Sequence, residues 1–433
     1  MEKTIIPGEV SGEIEPPSSK SYAQRAIATA LLAEGVSSLS GIGAGQSGDF
    51  CDDTASALRV VQALGAKVNQ TSPGVYTIAG GLKPQNNILN IGESGLSTRL
   101  FTPIAALCPT PITISGHGTI LHRPMEMMLD GLRALGVEVT DKKGRLPITV
   151  RGPLRGGEVD IDGSVSSQFL TGLLTALPLA ANDTTVRVAG LRSIPYIEMT
   201  LDVMTRFGVD VDHRDFAEFY IPGSQRYTPA SLTIEGDWSA ASCLLVAGAV
   251  ASGNGGLGGG GVTIKNLNPV SLQADVAIIE ALSRAGAHIE QTNDSVTVSR
   301  PGGEDGLRAF TFDATDCPDL FPALAALAAS CEGTSTIVGT SRLAHKESDR
   351  AHTLQSEYRL LGIDVDISDD DLMHITGGQP HGAVVSSHSD HRIAMSLAVA
   401  ALNASAPVTI TGAECVSKSY ANFWRDFDSI RVA

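Results

Sequence analysis

An α/β protein built as two similar domains is what this sequence predicts, and three observations carry the prediction. A helix ending in Leu-Gly or its equivalent, followed by a short alternating strand, recurs five times along the chain. Glycine is abundant (46 residues) and aromatics scarce (5%), which suits close helix-on-sheet layers better than an aromatic core. A polar, turn-rich connection, Ser224-Gln-Arg-Tyr-Thr-Pro-Ala230, lies near mid-chain. A chain of 433 residues also exceeds one ordinary core.

The elements follow in chain order. Ser18 and Ser19 are natural N-caps ahead of the alanine-rich run Ala23 to Ala33, so a helix starts here with Lys20, Ser21 and Arg25 in its first turns. The first copy of the repeat is Ala57-Leu-Arg-Val-Val-Gln-Ala-Leu-Gly65-Ala-Lys-Val. Gly92-Glu-Ser-Gly-Leu-Ser-Thr-Arg99 reads as a glycine- and hydroxyl-rich turn entering an apolar helix. His122-Arg123-Pro124 precedes the second copy, which ends at Gly136. Gly163-Ser-Val-Ser-Ser-Gln-Phe169 leads into the apolar run Leu170–Ala181, and the third copy ends at Gly208.

Beyond the connection come a strand, Ser231-Leu-Thr-Ile-Glu, and a helix start, Gly236-Asp-Trp-Ser. The glycine-rich stretch 252–261 lacks a P-loop ending and reads as a loop joining a helix to the strand Val262–Ile264. The fourth and fifth copies end at Gly286 and Gly362, and Tyr420–Ile430 is a final helix. Successive repeat glycines are 71, 72, 78 and 76 residues apart, each where a helix C′ position needs left-handed backbone. Six modules of mixed strand and helix are implied, three on each side of the connection.

Composition excludes several function classes. A net charge of −16 argues against a nucleic-acid surface, so any anion site must be local. The six cysteines (51, 108, 243, 317, 331 and 415) show no Cys-x-x-Cys pair and suit reduced thiols in a cytoplasmic protein. The first residues lack a signal-peptide core, and the longest apolar run, near Cys243–Ala251, is too short to span a bilayer. The ten histidines are dispersed, and neither a dinucleotide fingerprint nor a nucleophile elbow appears, so no metal and no cofactor are expected.

Cations or hydroxyls recur at the starts of predicted helices in both halves: Lys20, Arg25, Arg99, Arg123, Ser166, Arg392 and Lys418. Helix N-termini attract anions through their unpaired N–H groups and partial positive charge. Asp319, in Asp316-Cys-Pro-Asp319, starts an apolar helix, where it serves as an N-cap or as a proton acceptor. Ala344-His-Lys346-Glu347-Ser-Asp-Arg350 gathers five ionisable groups, with Lys346 and Arg350 on one face of an expected helix. It reads as a solvated surface helix or as one wall of a charged site. Ser389-Asp-His-Arg392 opens the apolar helix Ile393–Ala401, an unusual place for three charged groups unless they face something.

Taken together, Ser19-Lys-Ser-x-x-x-Arg25, Gly163-Ser-Val-Ser-Ser-Gln-Phe-Leu170, Lys346-Glu-Ser-Asp-Arg350 and Asp390-His-Arg392 resemble the enolpyruvyl transferase family. Within it they resemble the 5-enolpyruvylshikimate-3-phosphate synthases, over Gly12 to about Phe427. The resemblance implies an inside-out α/β barrel: two domains of three βαβαββ-type units each, with the active site in the interdomain cleft. It implies domains of 18–234 and of 1–17 with 235–433. It implies transfer of the enolpyruvyl group of phosphoenolpyruvate to the 5-hydroxyl of shikimate 3-phosphate by addition and elimination, in a monomer that needs no cofactor, nucleic acid or membrane.

By position, Lys20, Asp319 and Glu347 are the implied catalytic groups. Lys20, Ser21, Arg25, Ser166, Ser167, Gln168, Ser193, Tyr196, Asp319 and Lys346 are the implied shikimate-phosphate ligands. Lys20, Gly95, Arg123, Gln168, Arg350, Arg392 and Lys418 are implied for phosphoenolpyruvate, and with Gly95 retained, competitive inhibition by glyphosate. Glu93 and Leu96 depart from the family's usual glycine turn, as Arg342 does from its usual asparagine. A UDP-N-acetylglucosamine enolpyruvyl transferase is the nearest alternative, but Gly116–Arg123 carries neither the Cys nor the Asp expected there. A non-catalytic phosphometabolite-binding relative is the other.

Overall fold

The computed structural model describes residues 1–43, 51–164, 166–253, 260–302, 306–344 and 346–432. Each repeat contributes two helices. They are α1 (Lys20–Leu32) and α2 (Asp52–Ala63), α3 (Gly95–Ala105) and α4 (Glu126–Ala134), and α5 (Gln168–Ala176) and α6 (Ile194–Arg206). After mid-chain come α7 (Trp238–Ala251) and α8 (Ile278–Ala285), α9 (Phe321–Ala329) and α10 (Arg350–Leu360), and α11 (His391–Leu402) and α12 (Phe423–Ser429). The first helix of each pair is buried on almost every side, by apolar sequence in most and with polar side chains among the buried ones in α1. α3, α7, α9 and α11 are buried at every residue. Three such helices form the centre of each unit, α3 packing on α5 and α1, and α11 on α9 and α7. Among the second helices, α8 is amphipathic, burying Ile278, Ala281, Leu282 and Ala285 along one face, whereas the buried side of α10 carries Arg350 and Glu357.

The sheets are small and mixed. In the second repeat the strand order is Ile88–Asn90, Ile112–Ser115, Ile148–Arg151, Glu138–Thr140, the first pair parallel and the others antiparallel. In chain order that is βαβαββ, and Gly157–Ile221 and Thr311–Thr376 repeat it. Three sheets are completed from far along the chain. Ser231–Thr233 pairs parallel with Val36–Ser40, Gly12–Ile14 parallel with Val262–Lys265, and Glu2–Ile5 antiparallel with Val408–Thr411. The N-terminal segment therefore folds with the C-terminal half. One compact unit takes 1–17 and 235–432, the other 18–43 and 51–234.

The five repeat glycines, 65, 136, 208, 286 and 362, all have positive φ, between 79° and 112°. A second glycine set follows the returning hairpin strands, where backbone meets backbone. A Cβ on Gly80 would lie 2.2 Å from the Ala30 carbonyl oxygen, and one on Gly377 would lie 1.9 Å from that of Cys331. Local propensity gives no sign of this second set, because the need arises from tertiary contact.

Elsewhere the structure departs from expectation. The helix expected over 344–350 starts only at Arg350, because the Asp349 side chain accepts from the His352 N–H and so caps it. Lys346 to Ser348 are bends, so helical spacing does not align Lys346 with Arg350. The final helix is shorter than expected, Phe423–Ser429. Most of the glycine-rich stretch, residues 254–259, lies outside the described residues, as do Val165 and His345.

The two glycine classes separate in a stability series. Gly136 has open space around its Cβ position and a φ of +82°. Gly136→Ala should therefore cost only about 1 kcal/mol in urea unfolding. Gly377→Ala, driven into fixed backbone, should cost ~3 kcal/mol or more.

Candidate active site

In the unit that holds 18–234, each buried helix opens on a side chain or turn singled out in the sequence. Ser19 caps α1 by accepting from the Tyr22 N–H at 3.4 Å, and Lys20 follows, its Nζ 3.2 Å from Asp53 in the first turn of α2. One turn on, Arg25 is 2% exposed. Its Nε donates to Thr200 Oγ1 (2.9 Å), Nη1 to the Ser21 carbonyl (2.9 Å), and Nη2 to Thr171 Oγ1 (3.3 Å) and the Tyr196 carbonyl (3.1 Å). Among the described residues, every one of those hydrogen bonds ends on a neutral oxygen. Burial draws the guanidinium down to about 10, still charged at neutral pH. A buried cation held by neutral dipoles alone is set up to receive an anion.

Gln24 lies within the same helix, its Oε1 accepting from Ser97 (3.0 Å) and Ser94 (3.3 Å), and Ser94 caps α3. This ties the Lys20 helix to the turn at Gly95. A Cβ on Gly95 would meet Arg123 Nη1 at 2.5 Å and Arg99 Nη1 at 3.1 Å, so glycine lets these guanidinium groups close in on the turn. Arg99 Nη1 donates to Gln168 Oε1 at 2.9 Å, fixing the first side chain of α5. Glu93 turns to the neighbouring helical turn, accepting from the Thr119 N–H (2.8 Å) and hydroxyl (3.0 Å). Ser166 Oγ accepts from the Gln168 N–H at 3.3 Å, and Ser167 is buried at the start of α5. Ser193 adopts left-handed backbone (φ 59°) before α6, and Tyr196 stands over Arg25, ring centre 6.0 Å from Cζ.

The other unit gathers its charges on Arg350, which is 1% exposed. Nε donates to Asp390 Oδ2 (2.8 Å), Nη1 to Asp319 Oδ1 (2.8 Å) and Nη2 to Glu347 Oε2 (2.7 Å). Burial works against its charge, yet Asp390, Glu347 and Asp319 raise its pKa above even the usual guanidinium value. Lys346 reaches Asp319 Oδ1 at 3.2 Å and Arg392 reaches Oδ2 at 3.5 Å. Burial pushes Asp319 up, but Lys346, Arg392 and Arg350 outweigh it and hold the carboxyl well below its usual range. Burial lowers the pKa of Lys346, with Asp319 opposing. Asp390 caps α11 by accepting from the Arg392 N–H (3.0 Å), and Lys418 donates to the Ser389 carbonyl (2.9 Å).

Nearly all the residues singled out in the sequence thus fall into two groups, one in each unit. One holds Lys20, Ser21, Arg25, Gly95, Arg123, Ser166, Ser167, Gln168, Ser193 and Tyr196. Asp319, Lys346, Glu347, Arg350, Arg392 and Lys418 make up the other. Lys346 and Arg350 meet by sharing one Asp319 oxygen rather than a helix face. Arg342 donates to the Thr315 carbonyl at 3.0 Å. Sequence reasoning missed Asp53, Gln24, Thr171, Thr200 and Asp275. A glutamine inside an alanine run was a signal for Gln24, but nothing local marked the others.

Residues 5–427 match the family model described as EPSP synthase (3-phosphoshikimate 1-carboxyvinyltransferase). The 3-phosphoshikimate 1-carboxyvinyltransferase of Clostridium kluyveri is 35% identical over 434 residues, covering 99% of this chain and 96% of the relative. That of Methanothermobacter thermautotrophicus is 38% identical, covering 96% and 95%. The solved EPSP synthase of Acinetobacter baumannii superposes with a TM-score of 0.79 at 25% identity, covering 100% and 98%.

Asp275 offers a test of the cluster's electrostatics. Burial first, then the Asp319 charge and that of Asp237, push it up to about 6 against Arg392 and a hydrogen bond with Ser239. A carboxyl whose folded pKa lies above its unfolded value contributes stability that is full below pH ~4 and lost as pH rises through about 6. Asp275→Asn, fixed in the neutral form, escapes that loss. Its melting temperature relative to the parent should therefore be higher at about pH 7.5 than at about pH 5. A difference that does not change with pH would contradict the assignment.

Proposed function

The chain belongs to the EPSP synthase family, and on that premise we propose which of its residues perform the reaction. The reaction transfers the enolpyruvyl group of phosphoenolpyruvate to the 5-hydroxyl of shikimate 3-phosphate and releases phosphate, a step of the shikimate pathway toward the aromatic amino acids. The observation that carries the assignment is Asp319, a carboxylate facing Lys346, Arg350 and Arg392 while Glu347 shares the Arg350 guanidinium. Two anionic substrates need several cations, and two proton transfers need two carboxylates placed in register.

Arg25, Ser21, Ser166, Ser167, Ser193 and Tyr196 hold shikimate 3-phosphate, the anion completing the coordination of Arg25. Gly95, Arg123, Arg392 and Lys418 receive phosphoenolpyruvate, with Gln168 serving both substrates. Arg350 reaches phosphoenolpyruvate only by exchanging one of its carboxylates, so in this state it is first the scaffold that aligns Asp319 with Glu347. In the addition step the 5-hydroxyl oxygen bonds to C2 of phosphoenolpyruvate, its proton passes to Asp319, and Glu347 delivers a proton to the C3 methylene. In elimination the C2–O bond to phosphate breaks, the C3 proton returns to Glu347, and the proton held by Asp319 passes to the departing phosphate. Lys20 neutralises charge on the reacting groups.

Asp319 is ionised but, so strongly held, a weak base on its own. Substrate anions that engage Lys346 and Arg392 draw cationic charge away from it and raise its basicity once both substrates are bound. A cytoplasmic location goes with this reading, since the six cysteines are buried free thiols.

Phosphate release from phosphoenolpyruvate should appear with shikimate 3-phosphate and not with UDP-N-acetylglucosamine; the reverse, or release with neither, would defeat the assignment. Lys20→Met and Glu347→Gln should each lower kcat by about 10²- to 10⁴-fold. Gly95→Ala forces the mobile end of Arg123 aside, not fixed backbone. It should keep the parent's melting temperature while raising KM for phosphoenolpyruvate roughly tenfold and weakening inhibition by glyphosate.

A further inference from the structure

The turn Ser386–Asp390 enters α11 with two successive non-glycine residues in left-handed backbone, His388 (φ 49°) and Ser389 (φ 58°). Such a pair is unfavourable and persists only where the surroundings hold it. The holder is Glu357, on α10 and 5% exposed. Its Oε2 accepts from the Ser386 N–H at 2.7 Å, and its Oε1 lies 2.8 Å from His388 Nε2. Ser386 Oγ accepts from the His388 N–H at 3.1 Å, and Ser387 Oγ from the Ser389 N–H at 3.2 Å.

What leaves this turn is functional. The Ser389 carbonyl receives Lys418 Nζ at 2.9 Å, and Asp390 goes to Arg350. Glu357 lies two turns along α10 from Arg350, on the same face. One helix therefore grips the turn at both ends, by Arg350 on Asp390 and by Glu357 on Ser386 and His388. None of the chemistry assigned above uses Glu357 or His388. The histidine is not needed to satisfy the buried carboxylate, since Oε2 accepts from the Ser386 N–H and Oε1 also accepts from Ser356 Oγ at 3.2 Å.

We propose that His388, bonded to the buried Glu357, is a positioning residue for phosphoenolpyruvate, fixing the left-handed turn that presents the Ser389 carbonyl to Lys418. The pair sets where the Lys418 ammonium stands and takes no part in the bond changes. This rests on the assignment of Lys418 to phosphoenolpyruvate, and the test separates the two.

Full-length His388→Ala, His388→Asn, Glu357→Gln and Lys418→Met are assayed with each substrate varied in turn, and melting temperatures are recorded. Asparagine tolerates left-handed backbone but is too short to reach Glu357, so His388→Asn breaks the pair while sparing the turn's local preference. His388→Ala and His388→Asn should raise KM for phosphoenolpyruvate about tenfold, with kcat and the KM for shikimate 3-phosphate held within roughly twofold. Glu357→Gln should do the same, and adding it to His388→Asn should bring little further change, as expected of one shared interaction. An unchanged KM for phosphoenolpyruvate in both His388 variants, while Lys418→Met raises it, would overturn this inference alone. Loss of kcat and of both affinities in step with a lowered melting temperature would overturn it too, as a purely structural effect. No effect from Lys418→Met would overturn it together with the assignment of Lys418.

Discussion

The burial of Arg350 is the constraint on which the 1–17 and 235–432 unit depends. A guanidinium taken out of water is strongly penalised unless carboxylates meet its N–H groups in good geometry. Asp319, Glu347 and Asp390 do so, and two of them carry a second duty. Asp390 caps α11 and thereby sets Arg392, and Asp319 gathers Lys346 and Arg392. Removing any one of the three carboxylates would leave buried positive charge under-compensated, and losing Asp390 or Asp319 would loosen a helix start or a cation position with it. The helix starts, the loop 346–349 and the charged cluster are one electrostatic object.

How much of this was legible in the sequence depends on the range of the interaction that decides it. The helix-ending glycines were legible because left-handed C′ geometry is local, and all five show it. Ser19 and its helix were legible for the same reason. The second glycine set at Gly80 and Gly377 was not, since what excludes a Cβ there is the carbonyl of a residue far away in the chain. The resemblance implied that the chain changes domain twice. The residues alone marked only the connection at 224–230, because strands of three residues such as Gly12–Ile14 and Ser231–Thr233 carry no register of their own. Lys346 and Arg350 read as sharing a helix face until Asp349, between them, is seen to cap the helix instead.

The site followed the same rule. Cations at helix starts could be read off, but their partners could not: Asp53 for Lys20, Gln168 for Arg99 and Asp390 for Arg350 are separated by 33, 69 and 40 residues. Glu93, a negative charge next to an expected anion site, looked out of place. The structure spends that charge on the Thr119 N–H and hydroxyl, where it stabilises the turn that leads to Arg123.

Two buried arginines show opposite solutions to one problem, and the difference sorts their roles. Arg350 is saturated by carboxylates, so its charge is already compensated and its value is rigidity. Arg25 is held among hydroxyl and carbonyl oxygens, with its positive charge left for something else to compensate. The lowered pKa of Arg25 and the raised one of Arg350 are the same distinction in protonation terms. A site built this way has already met the cost of ordering and desolvating its cation before the ligand arrives, so the ligand's anionic group meets a preorganised partner rather than one it must strip of water. The neutral cradle is therefore the better mark of a substrate contact than the presence of an arginine, and by that measure the proposed binding role rests on firmer ground at Arg25 than at Arg350, which is structural until a substrate displaces one of its carboxylates.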